Sequence, residues 1–339
     1  VKYLVKNRWL LLYLTWVDRL LIKKEKEMRV PPKRVLLSNI AHLGDVVIAS
    51  CAISIIKKAY PKADIGFLTS SSSKVVLKGH KDLKYLHTFD HFKHNRGKIG
   101  FLKKFWRHVA SLYKACISIR QVQYDLAVDL YPFYPNSIAL LMFCHIPYRL
   151  GFTSGGYGPS LTHPVPFDLK ESTPMSRYYK TLFAKIGVEV TSYKPSLVSS
   201  NRQFPSYILF HPGAGNPLKE WDIESWKRVY RRSCVFTGFG EREAKIIQAI
   251  DKEALSFCGI LDFPDLVSLV SKASLVVCVD TCIQHIAAAF DIPTITIYIE
   301  RDKSGLFHGD SPQNIALFPL EDREAAEELI RIRVKQLFI

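Results

Sequence analysis

Residues 274–299, SLVVCVDTCIQHIAAAFDIPTITIYI, decide the fold. SLVVCVD is an apolar, β-branched run, TCIQHIAAAF has helical apolar spacing, and PTITIYI returns to a strand-forming run. Strand, helix and strand joined this tightly make a crossover unit of a parallel sheet, apolar on both faces because helices cover both. The pattern recurs upstream. YILFHPG (207–213) is a strand running into a glycine-bearing loop, followed by helix ESWKRVYRR, strand CVFTGFG, helix EREAKIIQAI, the short LSFCG and helix PDLVSLVSKA. A separate series starts past Pro31-Pro32: strand RVLLSNI (34–40), helix VVIASCAISIIKKAY stopped by Pro61, strand DIGFLTS, and later strand YDLAVDLY (124–131). EDREAAEELIRIRVKQLF reads as one terminal amphipathic helix. The 339 residues therefore predict an α/β protein of two doubly wound domains facing a cleft, 31–200 and 201–339, behind a basic amphipathic extension over 1–30. The join falls in the polar stretch TSYKPSLVSSNRQFP (191–205). Such sheets bind ligands outside the carboxyl ends of their strands.

Composition is that of a folded chain, with 48% hydrophobic and 23% charged residues, which excludes a disordered polyelectrolyte. Lys and Arg outnumber Asp and Glu by 47 to 31, a net charge of +16, so an anionic partner is expected. The excess is local. Residues 1–34 hold ten basic against three acidic side chains, and HFKHNRGKIGFLKKFWRH (91–108) holds six against none. A protein that coats nucleic acid spreads basic charge over its folded body. Two basic segments laced with aromatics fit an anionic membrane or a phosphorylated lipid instead, so no nucleic-acid partner is expected.

The apolar stretch 3–22 is broken by Lys6, Arg8, Asp18 and Arg19. Its longest uncharged run, Trp9 to Val17, is far short of the ~20 residues a spanning helix needs, and KKEKEMR after Ile22 is no cleavage site. Wound as a helix, Trp9, Leu12, Tyr13, Trp16 and Leu20 share a side. That side suits a bilayer interface or packing on the protein itself. Seven scattered cysteines with no Cys-x-x-Cys pair read as buried thiols in a reducing cytosol, not as a disulfide frame or a zinc site.

Three strand-end loops carry chemistry. Leu43-Gly44-Asp45 follows the first strand; Asp45 is either a first-turn acid matched to the helix dipole or a carboxylate facing a ligand that Gly44 lets approach. His211-Pro212-Gly213-Ala214-Gly215 exposes backbone N–H groups able to cradle phosphate, with Lys219 and Trp221 just beyond. In CVDTCIQHIAAAF (278–290), Asp280 ends a strand, Thr281 opens a helix, and His285 lies one turn on. This arrangement gathers an acid, a hydroxyl, free helix amides and an imidazole around one anion-sized site, although His285 alone also reads as a satisfied interior histidine.

SNIAHLGDVVIAS, HPGAG with KEW, GFGERE, DTCIQHIAAA, DLAVDL and YRLGF resemble, in content and order, the motifs of glycosyltransferase family 9, the heptosyltransferases of bacterial lipopolysaccharide core synthesis. The resemblance implies a GT-B fold of two Rossmann-like domains, the first binding acceptor and the second nucleotide sugar. It also implies inverting transfer, without metal or other cofactor, of a heptose from ADP-heptose to a lipid-linked acceptor. The enzyme would then be cytoplasmic, peripherally attached to the cytoplasmic face of the inner membrane. By position, Asp45 is the implied catalytic base and Lys219 the phosphate lysine. Asp280, Thr281, His285 and Gly213 are implied in the donor pocket, and Glu241, with Glu243 as the alternative, near the ribose. Lys93, Arg96, Lys98, Lys103, Lys104 and Arg107 are the expected acceptor and membrane contacts. No Asp-x-Asp pair occurs in the chain, which agrees with a metal-free site. Cys282 departs from the pattern, standing where the family has Gly; it keeps open a catalytically silent, membrane-associated binding protein of the same fold. A Rossmann oxidoreductase is disfavoured, since AHLGDVV lacks Gly-x-Gly-x-x-Gly.

Overall fold

The computed structural model describes residues 3–5, 7–22, 25–93, 100–170, 173–299 and 305–337. The chain divides into two units, Val1–Lys170 with Ser176–Ser196, and Glu171–Met175 with Leu197–Ile339.

In the first unit α1 (Arg8–Leu20) precedes β1 (Arg34–Ser38), α2 (Leu43–Ala49), α3 (Cys51–Ala59), β2 (Asp64–Thr69) and β3 (Leu83–Thr88). Then come α4 (Phe101–Val122), β4 (Leu126–Asp129), α5 (Ile138–Phe143), β5 (Tyr148–Phe152), β6 (His163–Val165) and α6 (Met175–Ala184). The second unit contains β7 (Ile208–His211), α7 (Ile223–Val229), β8 (Val235–Phe236), α8 (Gly240–Ile250), β9 (Leu255–Ser256) and α9 (Phe263–Ser271). It continues with β10 (Leu275–Val279), α10 (Cys282–Ala289), β11 (Thr294–Ile297), β12 (Asn314–Leu317) and α11 (Arg323–Gln336). The sheets run β3-β2-β1-β4-β5-β6 and β12-β11-β10-β7-β8-β9, with every pairing parallel. Counted from the start of each unit, both have the doubly wound order 3-2-1-4-5-6.

The central strands are fully buried, as the apolar runs require: Val35, Leu36 and Leu37 in β1, Val276, Val277 and Val279 in β10. Acids start three helices of the second unit, α7, α9 and α11. Asp222, Asp262 and Asp322 each accept a backbone N–H at 2.9 Å, and such a cap is worth about 1 kcal/mol. Glu327 of α11, almost buried, accepts from Ser225 and Arg228 of α7 at 2.8 Å, and these donors hold its carboxyl down at about 2.

Two elements depart from the sequence reading. The single helix expected after Asp45 is two, because Ser50 turns its hydroxyl onto the Val47 carbonyl at 2.7 Å and takes the Ser196 N–H at 2.9 Å. The basic segment 91–108 runs into the 22-residue helix α4, which buries only Ala115 and Ile119 fully although Phe101, Phe105, Val109, Leu112, Cys116 and Ile119 recur at helical intervals.

The helix α1 packs on the protein itself through one side. Leu14 is fully buried, and a side chain at Gly156 would come within 2.6 Å of it. Asp18 accepts the Tyr157 N–H and the Tyr3 hydroxyl at 2.8 Å, while Tyr13 and Tyr157 pair hydroxyls at 3.0 Å. The opposite side, Trp9, Leu12, Trp16 and Leu20, stays exposed, with Trp9 80% accessible, and Tyr13 lies at its edge. Among the described residues no helix is long and apolar enough to cross a membrane.

His87 joins β3 to α4. Its ring nitrogens pair with Ser118 Oγ and Tyr124 Oη at 2.8 Å, and burial pushes its pKa from 6.5 down to about 4. Because the folded value lies below the unfolded one, the unfolded chain takes up the proton first on acidification. Stability is therefore lost as pH falls from about 6.5 toward 4, by up to about 1.4 kcal/mol per pH unit. His87→Gln should flatten the melting temperature against pH over this window; an unchanged slope would contradict the assignment.

Candidate active site

Reversal of strand order opens one crevice in each unit, between the carboxyl ends of β1 and β4 and between those of β7 and β10. In the first, Asn39 shapes the turn leaving β1: its Oδ1 accepts from Ala41 N–H at 3.1 Å and its Nδ2 donates to the Asp45 carbonyl at 3.3 Å. Asp45 Oδ2 accepts the His42 backbone N–H at 3.1 Å, so the residue does act as a first-turn acid of α2. It is half-buried.

Asp129, at the neighbouring end of β4, was passed over in the sequence although it lies within DLAVDL. It is buried and accepts the Ser137 N–H at 2.8 Å and the Tyr131 N–H at 3.0 Å, with the Ser137 hydroxyl as a third donor. Burial nonetheless raises its carboxyl to about 6. Its work is to pin the loop from Tyr131 to Ser137. Nearby, the Lys93 ammonium lies 4.7 Å from the centre of the Tyr134 ring, and the rings of His91 and His108 are 4.9 Å apart. Lys103, Lys104 and Arg107 lie on the first turns of α4; Arg96 and Lys98 fall outside the described residues.

The second crevice gathers most of the residues expected to bind a donor. At the end of β7, His211 pairs with the Thr237 carbonyl at 3.0 Å. A Cβ on Gly213 would approach Glu243 Cγ to 2.5 Å, so only glycine fits there. Glu220 accepts the Ala214 N–H at 2.9 Å, and Arg242 binds both Glu220 and the Ala214 carbonyl, bracing the loop. Lys219 Nζ lies 2.5 Å from Asp280 Oδ2. Thr281 is the residue before α10 and makes no side-chain cap; its buried hydroxyl has no hydrogen-bond partner. His285 is buried and driven down to about 3, first by desolvation and then by His308 and Lys219, which keeps the imidazole neutral. Cys282 is held as a thiol, its pKa pushed up to about 12 by burial.

Two expectations change. Glu241 points to solvent, 84% exposed and paired with Lys245 at 2.9 Å, because it falls on the outer side of α8. Glu243, on the inner side, is buried and accepts the Phe239 N–H at 2.8 Å; burial raises its pKa. Trp221 lines no crevice but packs edge-on against Trp226 in the core, with ring centres 5.4 Å apart. Gln284, Tyr298, His308 and Arg242 were not singled out. For Arg242 and Gln284 the signal was their place inside GFGERE and DTCIQHIAAA; for Tyr298 and His308 nothing local marks them.

Among curated proteins, the chain is similar to lipopolysaccharide heptosyltransferase 3 of Escherichia coli strain K12, 24% identical over 288 residues, covering 75% of this chain and 79% of that protein. Among solved structures, a glycosyl transferase family 9 protein from Veillonella parvula DSM 2008 superposes with a TM-score of 0.72 at 17% identity, covering 89% of this chain and 90% of the other. The E. coli ADP-heptose lps heptosyltransferase II gives 0.64 at 18% identity, covering 87% and 99%. At such identities these structures speak for the fold, GT-B. The sequence model of glycosyltransferase family 9 (heptosyltransferase) matches residues 112–306, more than half the chain. The chain is therefore a member of glycosyltransferase family 9, the heptosyltransferase family.

Proposed function

We propose that the protein transfers a heptose from ADP-heptose to a hydroxyl of an anionic, lipid-linked core glycan, with inversion and without a metal. The carrying observation is the cluster at the β7/β10 crevice: an ammonium fixed 2.5 Å from Asp280, beside an unpartnered threonine hydroxyl and the amides that open α10. Such a set neutralises a departing diphosphate. The donor identity takes its support from the E. coli relative described as an ADP-heptose enzyme. In the proposed step the acceptor oxygen bonds to the anomeric carbon from the face opposite the diphosphate. The anomeric carbon–oxygen bond breaks, ADP leaves with its electron pair, and Asp45 takes the acceptor proton. The metal-free form is what the family resemblance implies, and no Asp-x-Asp pair occurs in the chain. Within this reading residues 31–200 bind acceptor and 201–339 bind donor, and Glu243 is better placed than Glu241 to meet the ribose.

Attachment to the cytoplasmic face of the inner membrane is part of the proposal. What supports it is the company kept by the basic segments. The exposed side of α1 lies beside Arg8 and Arg19, and α4 exposes Phe101, Leu102, Phe105, Trp106 and Tyr113 around Lys103, Lys104 and Arg107. Aromatics at headgroup depth with cations above them are the composition of an interfacial helix. A second reading, a silent nucleotide-sugar-binding protein, is favoured by Cys282 alone, whose side chain occupies the first turn of α10.

Three outcomes are expected. Asp45→Asn keeps a good helix-start residue, so the variant should fold and bind ADP while turnover falls about 10²–10⁴-fold, the usual loss of a general base. Turnover within a few-fold of wild type would remove Asp45 from the mechanism, and no donor-dependent ADP release by the wild type would favour the silent protein. Lys219→Ala removes a charged hydrogen bond and should weaken ADP binding by roughly ten- to hundredfold in calorimetry; unchanged affinity would move the diphosphate elsewhere. Wild-type protein should sediment with phosphatidylglycerol vesicles in a salt-sensitive way, and Trp9→Ser with Trp16→Ser and Trp106→Ser should reduce it. These point variants are preferable to deleting residues 1–30, which would also strip out the buried Leu14. Wild-type protein left in the supernatant would overturn the attachment.

A further inference from the structure

Behind Lys219 and Asp280 runs a chain of hydrogen bonds that the proposed mechanism does not use. Asp280 Oδ1, the oxygen turned away from Lys219, accepts from Gln284 Nε2 at 2.9 Å. Gln284 is wholly buried, one helical turn beyond Asp280 on the first turns of α10. Its own oxygen is doubly occupied, accepting the Tyr298 hydroxyl at 2.7 Å and the Gly309 N–H at 2.9 Å. The Tyr298 oxygen in turn lies 3.1 Å from His308 Nδ1. With its single proton committed to Gln284, the phenol faces His308 as an acceptor.

Each link therefore has one polarity. Two donors on Gln284 Oε1 fix which end of the amide faces Asp280, and the amide NH₂ then holds one carboxylate oxygen so that the other meets Lys219. Without that NH₂, Asp280 would be free to turn about its terminal torsion, and Lys219 would lose its fixed partner. We infer that Gln284 is the positioning residue of the donor site, setting through Asp280 the place of the lysine that receives the donor diphosphate. This rests on the donor reading above. Tyr298 and the Gly309 amide are its supports.

Two replacements separate positioning from charge. Gln284→Met keeps the bulk and removes the NH₂ without adding charge. Gln284→Glu keeps the oxygen that accepts from Tyr298 and Gly309 but sets a second carboxylate against Asp280. Two carboxylates at hydrogen-bond distance retain one shared proton to unusually high pH, and that proton restores the missing bond. The groups facing the pair are Lys219 on the loop after β7, Cys278 on β10, Tyr298 after β11, and His308, with Asp310 beside it, before β12. Expressing affinity as the ratio to wild type at each pH cancels their titration and that of the nucleotide.

The test is calorimetric titration with ADP from pH 5.5 to 8.5, with thermal melts to establish folding. Gln284→Met should bind about tenfold more weakly than wild type at every pH. Gln284→Glu should be at least as weak at pH 8.5 and recover to within about threefold at pH 5.5. Gln284→Met indistinguishable from wild type, whatever Gln284→Glu does, would overturn the inference and leave the donor reading standing. Wild-type protein that fails to bind ADP would overturn both. If Gln284→Met does not fold, Tyr298→Phe removes one support of the amide; it should weaken ADP a few-fold, and an unchanged affinity there is equally fatal.

Discussion

A parallel strand cannot turn straight back to its neighbour; the chain must return through a helix, almost always right-handed. When the winding reverses direction, two adjacent strands send their following helices to opposite faces, and the space beyond their carboxyl ends stays open. This happens between β1 and β4 and again between β7 and β10. The chemistry follows from that constraint. Asp45 and the Asp129 loop occupy one gap, and Gly213, Lys219, Asp280 and Thr281 occupy the other. Strand burial makes these gaps rigid, since β1 and β10 are covered on both faces.

Within the second gap, order is built before any ligand arrives. Lysine is a flexible side chain with about 2 kcal/mol of rotamer entropy, and here its ammonium is already held by Asp280. The loop carrying it is braced from below by Glu220 and Arg242, while Glu243 fills the space that a side chain on Gly213 would need. The buried imidazole of His285, kept neutral, adds polarity without a competing charge. Preorganisation of this kind costs nothing at the moment of reaction.

How much was legible in the sequence depended on how each element makes its living. β10, α10 and β11 bury nearly everything and announce themselves by composition, as do the motif residues at strand ends. β5 and β6 are short and half polar, with Arg149 and His163 inside them, and show no clean period; α4 has the helical spacing, but its first turns are dominated by Lys103, Lys104 and Arg107 and most of its length is exposed. The choice between Glu241 and Glu243 could have been settled from spacing. Glu243, Ile247 and Ile250 recur at helical intervals and share the inward face, whereas Glu241 falls beside Lys245 on the other side. Gln284 could not, because its role depends on Tyr298 and Gly309, which the fold alone brings to it.

The fastening of α1 has a mechanical consequence. Leu14, Asp18 and Tyr13 grip the segment from Gly156 to Tyr157, which leaves β5 directly, and Leu4 N–H adds a bond to the Ser154 carbonyl at 3.0 Å. The helix is thus a lever bolted to the carboxyl-end rim of the first sheet. A load on its exposed aromatic side is delivered to the Gly156–Tyr157 segment, and through the Asn136 amide, which donates to the Gly156 carbonyl at 3.2 Å, to the loop that Asp129 pins.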